Sequence, residues 1–134
     1  MTRINIISPS ELYDQHLIAE YREITMVPAA LNRTLHSKTG LILSKISNKY
    51  TLNKGHVYFF YNKGKYLDHR YIKIIQEMKN RGFNPDENRL FPKQIFIDND
   101  LYHDWQPTLE DIKIIKNRIA EKIQQKPHWY RKSG

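Results

Sequence analysis

Residues 8–31, SPSELYDQHLIAEYREITMVPAAL, contain the pattern that decides the fold. The stretch opens with a helix-start signal, because Ser8 can cap a helix, a proline follows it directly and Glu11 lies three residues after the cap. Apolar side chains then recur at helical spacing and form one stripe: Tyr13, Leu17, Tyr21, Ile24, Val27 and Leu31. The pattern predicts one long amphipathic helix from Ser8 to about Ala30 or beyond, with Pro28 late enough to kink or end it.

Two further helices are predicted downstream. The first covers Lys65 to Arg81, where apolar residues repeat at helical spacing and Gly82 suits a left-handed end. The second begins after Pro107, with Thr108 as its capping residue and acidic residues in its first turn, and Pro127 stops it.

The remaining segments are predicted to be connections. Residues 56–62, HVYFFYN, are the best strand candidate, but such a short run has no obvious partner, and we interpret it as a buried connector. Residues 84–106 alternate turn residues with aromatic residues, which is typical of a long loop packed over helices. The sequence therefore predicts an all-α fold, with residues 1–134 forming a single compact domain of three main helices and long connecting loops.

Composition narrows the class of partner. The 134-residue chain carries 22 Lys and Arg against 14 Asp and Glu, and its net charge of +8 favours polyanions, with nucleic acid the leading class. The absence of cysteine excludes disulfides, thiolate nucleophiles and cysteine-ligated metal centres. No apolar run reaches the ~20 residues needed to span a bilayer, and no signal peptide is recognisable. We expect a cytoplasmic protein with no membrane partner.

The far side of the first predicted helix is the candidate functional surface. The small Ala19 lies at the centre of this surface and leaves room for a ligand or another segment, such as the short Thr2-Arg3 stretch. Around it lie Gln15, His16, Arg22, Glu23 and Met26. Without further information, the same pattern is also typical of an ordinary solvated helix face. The six histidines are scattered and form no ligand cluster, so we expect no metal ion and no cofactor.

Five motifs resemble the phage pyrimidine-dimer DNA glycosylase/AP lyase family along nearly the whole chain. They are MTRIN at residues 1–5, DQHLIAEYRE at 14–23, GHVYFFYNK at 55–63, NRGF at 80–83 and EKIQQKPHWY at 121–130. The resemblance implies an all-α enzyme that removes ultraviolet-damaged pyrimidines from double-stranded DNA and then nicks the strand at the abasic site. It further implies a monomer that acts near the nucleoid of a bacterial or phage-infected cell.

The resemblance also assigns roles to residues. It implies that Met1 is removed, that the α-amino group of Thr2 is the nucleophile, and that Glu23 and Arg22 complete the catalytic group. The residues that it implies contact DNA are Arg3, Gln15, His16, Arg22, Arg118, Lys122, Trp129 and Tyr130. Other basic residues are available to hold the two strands around a bend that flips out the base opposite the lesion: Lys63, Lys65, Arg70, Lys126, Arg131 and Lys132.

The implied chemistry suits these groups. An α-amino group has a pKa of about 7.7–8.0, against about 10.4 for lysine, so a useful fraction is neutral and nucleophilic near neutral pH. Attack on the sugar C1′ expels the base and leaves an imine, and β-elimination then breaks the 3′ phosphodiester. Glu23 handles protons at the sugar, while Arg22 and Arg3 neutralise adjacent phosphates.

Two departures from the family pattern concern the choice of lesion. Met26 occupies a position where the family commonly has an arginine, which removes one positive contact, and the chain ends in RKSG without the family's further tyrosines. Another damaged base is therefore an alternative substrate of the same chemistry. A non-enzymatic DNA-binding or architectural module and a metal-dependent nuclease are the alternatives from other classes.

Overall fold

The computed structural model describes residues 2–133, and they form helices and loops with no β-strand. The helices are α1 (Asp14–Glu23), α2 (Met26–Leu35), α3 (His56–Phe59), α4 (Gly64–Asn80), α5 (Gln94–Asp98) and α6 (Leu109–Gln125). Short 3₁₀ turns occupy Pro9–Glu11 and Leu43–Lys45. The all-α prediction is thus confirmed. None of the helices within residues 2–133 combines the length and the apolar character that crossing a membrane requires.

The predicted long first helix is wrong at its start and in its continuity. Pro9–Glu11 form a 3₁₀ turn, and Leu12 and Tyr13 are extended, so the α-helix begins only at Asp14. Farther on, the helix is interrupted between Glu23 and Met26. Pro28 accounts for this break, because it has no amide hydrogen to donate to the carbonyl group four residues earlier and its ring would clash with that group. Pro28 therefore sits inside the first turn of a second helix.

The apolar stripe is nonetheless continuous across the break. Leu17 of α1 and Val27 and Leu31 of α2 are fully buried, as is Ile24 between the two helices. The two helices thus share one buried face even though their axes are separate. The opposite face of α1 is left to line the candidate site.

The other two helix predictions are confirmed. α4 deviates from the prediction by one residue at each end, and Gly82 follows it with a φ of 87°. α6 begins after Thr108, whose side chain accepts a hydrogen bond from Asp111, while the Asp111 carboxylate accepts one from the Thr108 backbone. This capping box satisfies two groups at the helix start.

The connections differ in part from the prediction. Residues 56–62 are buried at Phe59, Phe60 and Tyr61, which confirms a connector, but their first part is the short helix α3. The predicted loop at residues 84–106 contains the short helix α5. The Phe96 side chain of α5 is fully buried, because it packs against the first residue of α4.

The N-terminal segment, residues 2–7, runs through the core without forming a helix or strand. Ile4 is fully buried, and its N–H donates to His56 Nε2 (2.8 Å), while its carbonyl oxygen accepts from the Tyr50 hydroxyl (2.8 Å). The Asn5 N–H donates to Glu20 Oε1 (3.0 Å). Side chains therefore satisfy the buried backbone groups that a sheet or helix would otherwise satisfy.

A buried ion pair between Glu20 and Arg70 fixes α1 against α4. Arg70 donates through Nε to Glu20 Oε2 and through Nη2 to Glu20 Oε1 (2.9 Å), and its Nη1 donates to the Ile7 carbonyl oxygen (2.8 Å). Glu20 is completely buried, and Arg70 is 5% exposed. The expectation that Arg70 is available to hold DNA is therefore wrong, because its guanidinium group is committed inside the protein.

Lys63 is a second correction to the set of basic residues expected to hold DNA. Its Nζ is buried and donates to the Phe59 carbonyl oxygen (2.8 Å) and to Asn62 Oδ1 (2.8 Å). Burial lowers the pKa of Lys63 to about 8. Both hydrogen-bond acceptors, Phe59 and Asn62, belong to residues 56–62, the buried connector that ends directly before Lys63.

We expect Arg70→Met to lower the free energy of unfolding by about 3–5 kcal/mol, because it leaves the Glu20 carboxylate buried without its cation. The double variant Glu20→Met/Arg70→Met removes both charges and should lose less stability than the single variant. Urea unfolding followed by circular dichroism measures both. A double variant less stable than Arg70→Met would contradict this account.

Gly64→Ala should destabilise the protein by about 1–3 kcal/mol, although alanine is the better helix former. A Cβ at this position would overlap the Phe96 side chain and approach its Cδ1 to 2.7 Å. The exposed neighbour Lys65 supplies the matched control, since Lys65→Ala should change stability by less than about 0.5 kcal/mol. Equal thermal midpoints for the two variants would show that α5 moves away without cost.

Candidate functional site

A cavity of about 410 Å³ lies between the N-terminal segment, α1 and α6. It brings together six of the residues named from the sequence: Thr2, Arg3, His16, Glu23, Arg118 and Lys122. Ala19 also lines it, as expected for a small residue that leaves space beside α1. The remaining lining residues are Asn5, Glu20, Leu52, Asn53 and His56.

Glu23 faces the start of the chain. Its Oε1 accepts a hydrogen bond from the Arg3 N–H (3.0 Å), so the carboxylate lies directly beside the residue that follows Thr2. Burial raises the pKa of Glu23, although the hydrogen bond from Arg3 opposes the rise. A carboxyl group with a raised pKa is suited to taking up and releasing a proton near neutral pH.

Met26 lies beside Thr2. The Thr2 hydroxyl donates to the Met26 sulfur at 3.4 Å, and the Met26 side chain is 50% exposed. A thioether is a weak hydrogen-bond acceptor and carries no charge. Met26 therefore contacts the Thr2 side chain but provides no positive charge that could bind a phosphate.

Asn5 connects Arg3 to the buried ion pair. Arg3 Nε donates to Asn5 Oδ1 (2.9 Å), and Asn5 Nδ2 donates to Glu20 Oε1 (2.8 Å). Neither Asn5 nor Glu20 was predicted as part of the site. A sequence signal for Glu20 existed, since it lies three residues after Leu17 and four before Ile24, where an acid on an apolar helix face requires an internal partner.

His56 is another lining residue that sequence reasoning missed. Its Nδ1 lies 2.7 Å from the Thr51 carbonyl oxygen, which accepts a hydrogen, and its Nε2 accepts from the Ile4 N–H. These two bonds require the neutral tautomer with the proton on Nδ1. Burial lowers the pKa of His56, which agrees with the neutral form. Its role is to hold the N-terminal segment. The motif at residues 55–63 and the predicted buried connector both contain His56, but neither indicated this role.

His16 is buried, with 6% of its surface exposed, and it lies at the edge of the cavity. Neither ring nitrogen has a hydrogen-bond partner within the described chain. Burial lowers the pKa of His16 to about 4, and the positive charge of Arg3 acts in the same direction. The ring is therefore uncharged at neutral pH and offers one donor and one acceptor.

Arg118 and Lys122 approach the cavity from α6. They are four residues apart and share one face of the helix. Arg118 Nη1 donates to Asn53 Oδ1 at 3.3 Å, and Asn53 adopts a left-handed φ of 62°. Together with Arg3, these residues place positive charge around the carboxyl group of Glu23, an arrangement that attracts a polyanion.

Four predicted site residues lie outside the cavity. Arg22 is exposed on the outer side of α1. Gln15 binds the backbone of the C-terminal tail, with its Nε2 donating to the Trp129 carbonyl oxygen at 2.6 Å. Trp129 is 51% exposed and packs edge-on against Tyr130, whose ring stacks on His16. None of these four residues lines the cavity, and they include Arg22, which was expected to be part of the catalytic group.

The described part of the chain, residues 2–133, offers no cluster of metal ligands. No group of three or more His, Asp or Glu side chains in that range is arranged to hold a metal ion. The acidic residues at the cavity are Glu20 and Glu23, and the first of these is already bound by Arg70.

Comparison with known protein families identifies the family of the chain. A family model described as pyrimidine dimer DNA glycosylase matches residues 1–90. The match includes the N-terminal segment, all of α1 and His56, and thus most of the cavity lining. Arg118 and Lys122 lie beyond the matched range and enter the site through the fold. Since the match covers most of the 134 residues, the chain belongs to the pyrimidine dimer DNA glycosylase family.

Proposed function

We propose that the protein excises pyrimidine dimers through an imine formed by the α-amino group of Thr2 and then cleaves the strand as an AP lyase. One observation carries the proposal. Thr2 and Glu23 line the same cavity, and the N–H of Arg3 holds the Glu23 carboxylate beside the start of the chain. The amine becomes available only after Met1 is removed.

The reaction begins with the neutral amine. An α-amino group with a pKa of about 7.7–8.0 is partly unprotonated at neutral pH, whereas lysine is almost fully charged. Its lone pair attacks C1′ of the 5′ nucleotide of the dimer, and the C1′–N bond breaks with its electron pair leaving on the base. The attached nitrogen loses a proton, and its lone pair forms a C1′=N bond as the C1′–O4′ bond breaks, with the electron pair leaving on O4′, which takes up a proton. The sugar ring is then open and an iminium ion joins C1′ to Thr2.

Strand cleavage follows from the same intermediate. A proton-accepting group of the protein removes a proton from C2′. The C–H electrons form a C2′–C3′ double bond, and the C3′–O bond breaks with the phosphate as leaving group. Glu23 serves as the group that takes up and releases protons at the sugar, and its raised pKa suits that role. The reaction needs no metal ion.

Double-stranded DNA with ultraviolet damage is the proposed substrate, bound by a monomer. Arg3, His16, Arg118 and Lys122 would contact it inside the cavity, because they line the space beside Glu23. Gln15, Arg22, Trp129 and Tyr130 would contact it outside. Since enzymes of this type must expose the sugar of the target nucleotide, we expect a bent duplex. The resemblance to the family implies that the base opposite the lesion is the one flipped out.

One observation favours a second class of damaged base as a substrate. Met26, at the Thr2 side chain, supplies no cation where the damaged strand would lie. Phosphate contacts fix the register and orientation of the protein on the duplex, so the absence of one leaves the position of the damaged strand less restricted. The amine and Glu23 would process another damaged base, such as a ring-opened purine, in the same way.

Adding a residue before Thr2 converts its α-amino group into a peptide bond and should abolish both imine formation and strand cleavage. We would compare a protein that begins at Thr2 with one that retains a single glycine before Thr2, after checking both by intact mass. Borohydride trapping on dimer-containing, abasic and undamaged duplexes measures the imine. We expect an adduct from the first protein on the dimer and abasic duplexes alone, and none from the second.

Thr2→Ser is the matched control for this experiment, because it keeps a free amine and a small hydroxyl side chain and should still form the adduct. Equal cleavage by the glycine-extended protein would contradict the assignment to the Thr2 amine, because the α-amino group of that protein is on the added glycine, one residue away from its place beside Glu23. A protein that binds damaged and undamaged duplexes equally and forms no adduct would instead be a DNA-binding module.

Glu23→Gln should slow base release by about 10²–10⁴-fold, because the amide cannot exchange a proton with the sugar. Its affinity for dimer-containing DNA should stay near that of the unmodified protein, since the side chain keeps its size. Single-turnover base release and a fluorescence-anisotropy titration separate these effects. Glu110→Gln, which changes an exposed carboxylate of α6, serves as the control. Normal base release by Glu23→Gln would remove Glu23 from the mechanism.

A further inference from the structure

The C-terminal tail, residues 129–133, leaves α6 and lies across the beginning of α1. Gln15 binds it with both ends of its amide: Nε2 donates to the Trp129 carbonyl oxygen (2.6 Å), and Oε1 accepts from the Arg131 N–H (3.2 Å). The Asp14 N–H donates to the Arg131 carbonyl oxygen (2.7 Å). Three hydrogen bonds thus hold the tail backbone, one at the residue before Tyr130 and two at the residue after it.

Asp14 extends this attachment to the core. Its Oδ1 accepts from the Ser133 N–H (2.9 Å) and from Arg81 Nη1 (3.0 Å), and its Oδ2 accepts from the Ser133 hydroxyl. Asp14 and Arg81 are both buried. The end of the tail is therefore bonded to an ion pair that joins α1 to the end of α4.

Tyr130 is the side chain that this attachment positions. Its ring stacks on His16 with centroids 4.7 Å apart and an angle of 20° between the planes, and it meets Tyr13 edge-on at 6.0 Å. His16 belongs to the cavity and has two unpartnered ring nitrogens. The tail thus covers one face of a histidine that lines the cavity and whose two ring nitrogens are buried without a hydrogen-bond partner in the described chain.

We propose that Gln15 is a positioning residue of the catalytic cavity, whose amide holds the C-terminal tail so that the Tyr130 ring covers His16. The proposal deepens the function proposed above and rests on it, because it takes this cavity as the site of imine formation. It gives Gln15 a role within the protein in addition to any contact with DNA.

Covering His16 affects the net charge of the cavity, because it determines whether the ring becomes protonated. Arg3, Arg118 and Lys122 already contribute positive charge to the cavity, against Glu23 and the Arg70-paired Glu20. An iminium ion adds another positive charge during the reaction, and a protonated His16 would repel it. By excluding water from the ring, the tail keeps His16 neutral well below neutral pH. Release of the tail should therefore impair the reaction in mildly acidic solution.

The test is the titration of His16 in the whole protein, followed by two-dimensional NMR of the ring carbons. We expect a pKa of about 4 in the unmodified protein. In Gln15→Ala and in Tyr130→Leu it should rise toward the usual value of about 6.5, because the ring gains water. Tyr130→Phe keeps the stacked ring and should leave the pKa low, as should Gln124→Ala, which alters an exposed glutamine of α6.

Borohydride trapping on an abasic duplex at pH 6 and pH 8 supplies the functional measurement. Relative to pH 8, Gln15→Ala should lose about fourfold more activity at pH 6 than the unmodified protein, because a histidine of pKa near 6.5 is three-quarters protonated there. The Gln124→Ala protein should show no extra loss.

The outcomes separate the two proposals. A His16 pKa that is unchanged in Gln15→Ala and Tyr130→Leu, or already near 6.5 in the unmodified protein, would overturn the positioning role even if imines form. A pKa that rises as expected in a protein that forms no imine would support the positioning role of Gln15 and overturn the proposed function instead.

Discussion

The Glu20 carboxylate is the point on which the rest of the structure depends. Four N–H groups converge on it, two from Asn5 and two from Arg70, and it is completely buried. A buried carboxylate is stable only when its charge is matched and its oxygens are bonded. By meeting that requirement with groups from α4 and from the N-terminal segment, the fold fixes both relative to α1.

The pairing of Glu20 with Arg70 gives the two glutamates of α1 different roles. Glu20 and Glu23 are three residues apart and line the same cavity, but Glu20 is bonded to Arg70. Glu23 has the Arg3 N–H as its hydrogen-bond partner in the described chain and a raised pKa caused by burial. Two carboxyl groups with different surroundings can serve different purposes, one structural and one able to exchange protons.

The parts of the fold that were predictable are those that depend on local signals. The caps at Thr108 and Gly82 lie within a few residues of the helix ends they define, and α4 and α6 were predicted within a residue or two. The break between α1 and α2 was predicted only in part: a kink or an end at Pro28 was expected, but the apolar pattern continues through residues 24 and 25 and did not reveal two separate helices.

For the site, the motifs indicated Thr2, Arg3 and Glu23, which the structure brings to one cavity. Burial of polar groups was harder to predict, since it depends on partners far away in the chain. His56 lay in the segment predicted to be a buried connector, but the sequence did not reveal its bond to Ile4. Arg70 was assigned to DNA because charge alone does not reveal an internal carboxylate partner.

The path of the N-terminal segment through the core has a consequence for how the protein is made. Ile4 is held by Tyr50 and His56, and Asn5 is bonded through Glu20 to Arg70, all of which are synthesised later than the segment they hold. While the ribosome makes the intervening chain, the first residues have no partners and remain open to the enzymes that trim new proteins. Any processing in front of Thr2 therefore has its opportunity before the core closes over the segment.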